Sequence, residues 1–208
     1  MSRIRFGYPG SCPPAGRLTI LLFDDSASIS TGADAIGGRY VEAGAALEQA
    51  GGQCRCGREL AAILHFGAPT SHDIGPTPIG GPEAHRLRRG LRTPVHGPAV
   101  SLLRPSLRIA KAYARAHPRH AATLVVLSDF QLDDGPPGPI EELADFDGDV
   151  HAIVLRSAPL PALVEEPRID VTAIGYDTVL GTLGAAVFAA ITAGRPGRRL
   201  RTGTEARP

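Results

Sequence analysis

Hydrophobic residues fall into short solid runs separated by longer stretches of mixed character. Leu18 to Phe23 (LTILLF), Ala122 to Ser128 (ATLVVLS) and Val150 to Leu155 are β-rich and apolar without alternation, the pattern of strands buried on both faces. Glu59 to Phe66 (ELAAILHF) reads as a further strand, alanines included, and Ile169 to Ile174 as another. Between these runs the period lengthens. Gly38 to Ala50 places Tyr40, Val41, Ala43, Gly44, Ala45 and Leu47 on a small-residue helical face and stops at Gly51-Gly52. Ser101 to His117 turns Leu103, Leu107, Ile109, Ala110 and Tyr113 inward, with Ser101 in the cap position, Pro105 in the first turn and Pro118 closing the helix. A short helix from Pro139 to about Ala144 and a last one from Thr178 to Thr192 complete the series. Strands alternating with helices predict an open, doubly wound, mostly parallel α/β sheet with helices on both faces.

The remaining stretches follow no period. Residues 1–16 are rich in Gly and Pro and read as irregular, with at most a short edge strand from Ile4 to Tyr8. The domain proper spans 17–193, and the basic tail 194–208 reads as disordered. Residues 67–97 are full of Pro, Gly and His; an edge strand within Ser71–Ile79 and a helical turn within Glu83–Leu91 are the elements predicted there. A loop of that length in a compact domain points to function or mobility.

Composition narrows the picture only modestly. A chain of 208 residues, 43% hydrophobic and 21% charged, is one ordinary globular domain able to bury a full core. The net charge of +1 points to no polyanion, and Arg exceeding Lys by 21 to 1 reads as coding bias. Cys12, Cys54 and Cys56 cannot pair completely, and Cys54-x-Cys56 lacks the spacing of a zinc ribbon, so a reduced, cytoplasmic chain with incidental thiols is expected. The first residues lack the apolar centre of a secretory signal, and no run is long enough to span a bilayer.

The candidate chemistry sits where the first strand ends. Phe23-Asp24-Asp25-Ser26-Ala27-Ser28 sends a carboxylate and two hydroxyls out of one strand together as Asp24-x-Ser26-x-Ser28. All-oxygen ligands suit a hard divalent cation such as Mg²⁺. Ser101, ahead of a helix, and Asp129, just past the Ala122–Ser128 strand, supply further oxygens from separate loops. Ligands in open α/β sheets gather outside the carboxyl ends of the strands, where strand order reverses. Thr93 is the rival for the third position, but Arg92-Thr93-Pro94 has no helix pattern after it. Asp25 is expected to face solvent or cap a helix, because neighbours in an extended segment point oppositely. Asp133-Asp134 and Asp145, Asp147 and Asp149 read as solvated turns, the seven histidines as surface or packed residues, and Arg86–Arg92 as a solvated basic face without the aromatic partners of a single-strand nucleic-acid binder.

These residues resemble the von Willebrand factor A family over roughly residues 17–193. That family carries Asp-x-Ser-x-Ser after its first strand, matched by Asp24, Ser26 and Ser28. A Thr or Ser precedes its Thr-x-Leu-x-Pro-Ala-Leu helix pattern, matched by Ser101-Leu102-Leu103-Arg104-Pro105-Ser106-Leu107. An Asp follows its fourth strand, commonly in Thr-Asp-Gly, matched by Ser128-Asp129-Phe130. Two positions depart: Ser101 loses the methyl group of Thr, and Phe130 stands where the family has Gly. The resemblance implies a metal ion-dependent adhesion site of the bacterial intracellular type. Asp24, Ser26, Ser28, Ser101 and Asp129 would hold Mg²⁺ or Mn²⁺, and a protein partner would supply an Asp or Glu. The same resemblance implies a non-catalytic module and, among partners, an AAA+ ATPase or a signalling or defence component. The net charge, the basic face without aromatics and the short apolar runs argue against nucleic acid and membrane as partners. The residues alone leave two other readings open: metal-assisted hydrolysis or phosphoryl transfer in the same crevice, for which no dedicated base or phosphate loop is evident, and a metal-free scaffold.

Overall fold

The computed structural model describes residues 5–30, 35–52, 54, 56–67, 69–94, 101–136, 138–175 and 177–201, leaving the side chains of 30 and 35–37 aside. The chain runs β1 (Gly7–Tyr8), β2 (Gly16–Phe23), α1 (Ala27–Ser30), α2 (Ala35–Gly51), β3 (Glu59–His65) and β4 (Ile74–Pro78). A 3-10 turn at Pro82–Ala84 leads into α3 (His85–Gly90), α4 (Arg104–Ala116), β5 (His120–Ser128) and α5 (Pro139–Ala144). The order closes with β6 (Asp149–Leu155), α6 (Pro161–Glu165), β7 (Ile169–Ile174), α7 (Thr182–Thr192) and β8 (Arg199–Leu200).

Six strands form one sheet in the order β4-β3-β2-β5-β6-β7, all parallel except the antiparallel edge strand β4. The open, mostly parallel sheet predicted from the apolar runs is therefore present. Both of its faces are interior, and the pleat divides the strand side chains between them. Leu18, Ile20 and Leu22 of β2, Leu124 and Val126 of β5, and Val150, Ala152 and Val154 of β6 join the core under α4. Their neighbours Leu21, Phe23, Val125, Leu127, Ile153 and Leu155 join the core under α2 and α7. These two helices pack closely. A Cβ on Gly184 would stand 2.4 Å from the Phe6 ring and 3.1 Å from the Glu42 carbonyl oxygen, so glycine is what allows the approach.

Several boundaries move. Helix α4 begins at Arg104, and Ser101 lies outside it in the preceding loop. The last helix begins at Thr182, four residues later than its apolar pattern suggests, and α6 was not foreseen. Val41, placed on the packing face of its helix by the sequence reading, is 68% exposed. The tail also differs from expectation as far as Arg201. Strand β8 pairs antiparallel with β1 through Gly7–Leu200 and Tyr8–Arg199, and Arg195 is buried against Glu59 and the Ala50 carbonyl. A two-residue strand has no pattern of its own, so it forms only where a distant edge receives it. Residues 202–208 lie outside the described residues.

Candidate functional site

Strand order reverses between β2 and β5: the chain winds outward through β3 and β4, then returns to lay β5 on the other side of β2. Phe23 pairs with Leu127, and the Asp24 amide donates to the Leu127 carbonyl at 3.0 Å. That register sets Asp24 beside Ser128 and Asp129 at the carboxyl end of the sheet, the place where open α/β sheets receive ligands.

Asp24 is fully buried and acts as the organising acceptor. Its Oδ1 accepts the Ser26 amide at 2.9 Å. Its Oδ2 accepts two hydroxyls, from Ser101 at 2.9 Å and from Ser128 at 2.6 Å. Ser26 and Ser28 bring their hydroxyl oxygens to 3.0 Å from each other. Four of the five sequence-predicted residues, Asp24, Ser26, Ser28 and Ser101, are thus joined in one hydrogen-bonded cluster. Asp129, the fifth, follows Ser128 directly, is 7% exposed, and accepts the Gln131 amide on Oδ1 at 3.0 Å. The rival Thr93 is exposed, whereas Ser101 is buried on Asp24.

The donor set fits a small hard cation. At a metal–oxygen distance of about 2.0–2.1 Å, adjacent vertices of an octahedron lie about 2.9 Å apart, close to the Ser26–Ser28 separation. The loop that carries Ser101 is anchored from outside the motif. The Ser101 amide donates to Asp133 Oδ2 at 2.8 Å, and its carbonyl accepts the Asp133 amide. Asp134 caps the helix that follows, accepting the amides of Leu103 and Arg104 at 2.7 and 3.1 Å. Asp133 and Asp134 are therefore structural acceptors rather than the solvated turn expected of them. A carboxylate at the start of a helix satisfies exposed N–H groups and opposes the positive end of its dipole.

Phe130 occupies the position of the family's glycine with φ 58° and a ring 3% exposed. It keeps the left-handed backbone that glycine would adopt freely, at a cost of about 1–2 kcal/mol, offset by burying the ring. Its amide donates to the Ser128 hydroxyl at 2.8 Å, which in turn donates to Asp24. Ser128 stands at the end of its strand, in the position of the Thr in the Thr-Asp-Gly pattern and outside the predicted ligand set, yet it links the two site loops.

Asp25 corrects the sequence reading most sharply, since it is 4% exposed and faces the interior. Its Oδ1 accepts Arg39 and the Tyr40 hydroxyl, and its Oδ2 lies 2.6 Å from His65 Nδ1. Arg39 also donates to the Asp24 carbonyl. His65 Nε2 lies 3.0 Å from the Gly90 carbonyl, an oxygen that can only accept, so this nitrogen donates. Burial pushes the Tyr40 phenol up, and the nearby Asp25 charge adds to the effect against Arg39. Two acidic neighbours thus have separate work: Asp24 orients the hydroxyls, and Asp25 ties β2 to α2 and β3 beneath them. A carboxylate–imidazole pair invites a catalytic reading, but His65 is 1% exposed and its second nitrogen is committed to Gly90.

Arg86–Arg92 forms the solvated face expected of it. Leu87 anchors α3, Arg86, Arg89 and Arg92 are exposed, and Arg88 pairs with Glu48 at 2.9 Å on the surface. Among the described residues no helix is long and apolar enough to cross a membrane.

No protein-family model and no curated protein sequence matches the chain. Solved structures do. The VWA domain of SpRpn10 superposes with a TM-score of 0.56 at 15% identity, covering 83% of this chain and 94% of that one. The fold is that of a von Willebrand factor A domain. An aerotolerance-related membrane protein from Bacteroides fragilis gives a TM-score of 0.59 at 11% identity over 85% of this chain and 98% of its own. Proximal thread matrix protein 1 from the mussel byssus gives 0.60 at 15% identity over 85% of this chain. The chain spans 47% of the mussel protein, about half its length. At these identities the likeness establishes the von Willebrand A fold alone.

Proposed function

We propose that this von Willebrand A domain is a non-catalytic protein-binding module that docks a partner's Asp or Glu onto Mg²⁺ or Mn²⁺ at the carboxyl end of its sheet. One observation carries the reading: a single buried carboxylate, Asp24, gathers the hydroxyls of two other loops, while Ser26 and Ser28 stand at the spacing of adjacent octahedral ligands. Ser26, Ser28 and Ser101 would hold the ion directly; Asp24 and Asp129 would act through water or hold the hydroxyls in line. The ion would supply an open coordination position for the partner's carboxylate. The fold supports the module reading in general terms, since von Willebrand A domains typically serve in protein interaction. A bacterial, cytoplasmic setting, and an AAA+ ATPase or a signalling or defence component as partner, remain part of the proposal.

Calorimetric titration of Mg²⁺ and Mn²⁺, with and without a simple carboxylate, tests it on the wild type and Asp24→Ala. Metal binding strengthened by carboxylate and absent from the variant is the expected result. Equal heats from both proteins would remove the site. Metal-dependent turnover of a phosphoester, lost in Asp24→Ala, would favour an enzyme instead.

A further inference from the structure

The three cysteines, expected to be incidental, converge. Cys12 lies in the connection from β1 to β2, and Cys54 and Cys56 lie in the connection from α2 to β3. Their sulfurs all lie within 4.8 Å of one another, and Cys54 and Cys56 are 3.5 Å apart. Cys54 is buried, while Cys12 and Cys56 are partly open to solvent. The site is at the amino ends of β2 and β3. It is therefore roughly 25 Å from the hydroxyl cluster, the length of the eight-residue β2 at about 3.3 Å per residue.

We infer that Cys12, Cys54 and Cys56 form a binding site for Zn²⁺, built of three thiolates with water in the fourth position. Thiolates select soft or borderline cations, so this set discriminates against the hard ion proposed at the other end of the sheet. At a Zn–S distance of about 2.3 Å, tetrahedral geometry places sulfurs about 3.8 Å apart, within the range already present. A disulfide would use two of the sulfurs and leave the third unexplained; a metal uses all three.

The surroundings suit deprotonation at one thiol in particular. Burial acts to raise Cys56, but the Arg58 amide, 3.4 Å from its sulfur, and the two neighbouring thiols bring it down to about 7. Burial and the Cys12 thiol push Cys54 up to about 12, and burial raises Cys12. On binding, the metal would displace the remaining thiol protons into solvent. Glu59 raises both Cys12 and Cys54 through its charge, and among the described residues its Oε1 is buried without a hydrogen-bond partner. It stands outside the sulfur triangle as an alternative to water.

Bound metal would fasten the N-terminal segment, which carries β1 and hence β8, to the entrance of β3. The test is titration of the reduced, metal-free full chain with Co²⁺, then Zn²⁺. A thiolate-to-cobalt charge-transfer band that Zn²⁺ displaces stoichiometrically is expected. Cys12→Ser and Cys56→Ser should each abolish that band while retaining the wild-type circular dichroism, and Asp24→Ala should keep it. Absence of the band in the wild type would overturn the site. So would an undiminished band in folded Cys12→Ser or Cys56→Ser, or its loss in folded Asp24→Ala.

Discussion

At the carboxyl ends of β2 and β5 the fold gathers hydroxyls and carboxylates; at the amino ends of β2 and β3 it gathers thiols. Each end rests on a buried arginine–carboxylate pair, Arg39–Asp25 under the hydroxyls and Arg195–Glu59 near the thiols. The pairs are used differently. Arg39 donates to the carbonyl of Asp24 itself, so the upper pair is continuous with the site it supports. Arg195 instead reaches back from beyond α7 to the Ala50 carbonyl, holding the chain's later segment against the α2–β3 connection. One sheet therefore presents hard oxygen donors at one end and soft sulfur donors at the other. The oxygen site is reached through a buried ionic network, and the thiol site through connections between elements.

That contrast makes Asp25→Ala the most damaging change expected. It leaves Arg39 charged and buried without its carboxylate, a loss of about 3–5 kcal/mol in a urea unfolding titration. A loss below about 1 kcal/mol would mean that the upper network is ornamental. Ser101→Ala should cost less, about 1 kcal/mol, because Asp24 Oδ2 keeps its second donor, Ser128. In a double-mutant cycle with Asp24→Ala the two effects should fail to add, since both delete the same bond. Additivity would separate Ser101 from the cluster.

The smallest perturbation leaves the sequence intact and probes the lower end alone. A thiol whose level falls from 9.0 to about 7 gains its reactive thiolate as pH rises through 7. Alkylation of Cys56 in metal-free protein, followed by mass spectrometry, should therefore level off by about pH 8. Cys54, pushed up to about 12, should remain largely unmodified there. A Cys56 rate still climbing through pH 9 would break the distinction between the three thiols.

The oxygen site was largely legible because Asp24, Ser26 and Ser28 are close in sequence and leave a strand whose apolar run is unmistakable. Ser101 and Asp129 each stand beside a clear helix or strand. Asp25 was misread for a specific reason. Alternation does turn it away from Asp24, but in a doubly wound sheet the other side is also interior, covered here by Arg39 and Tyr40 of α2. Asp133 and Asp134 resembled any acidic turn, because the groups they satisfy lie about thirty residues earlier in the chain.

The sequence by itself determined the sheet, its mostly parallel character and the local Asp24-x-Ser26-x-Ser28 part of the oxygen cluster, since burial on both faces and local spacing are properties of adjacent residues. Only the tertiary structure decided which distant groups meet. The convergence of Cys12 with Cys54 and Cys56, the seating of β8 on β1, and the closing of Asp25 on His65 each depend on chain segments far apart in sequence. Such contacts form when the sheet order brings those segments together, and no local pattern of hydrophobic and polar residues encodes that order.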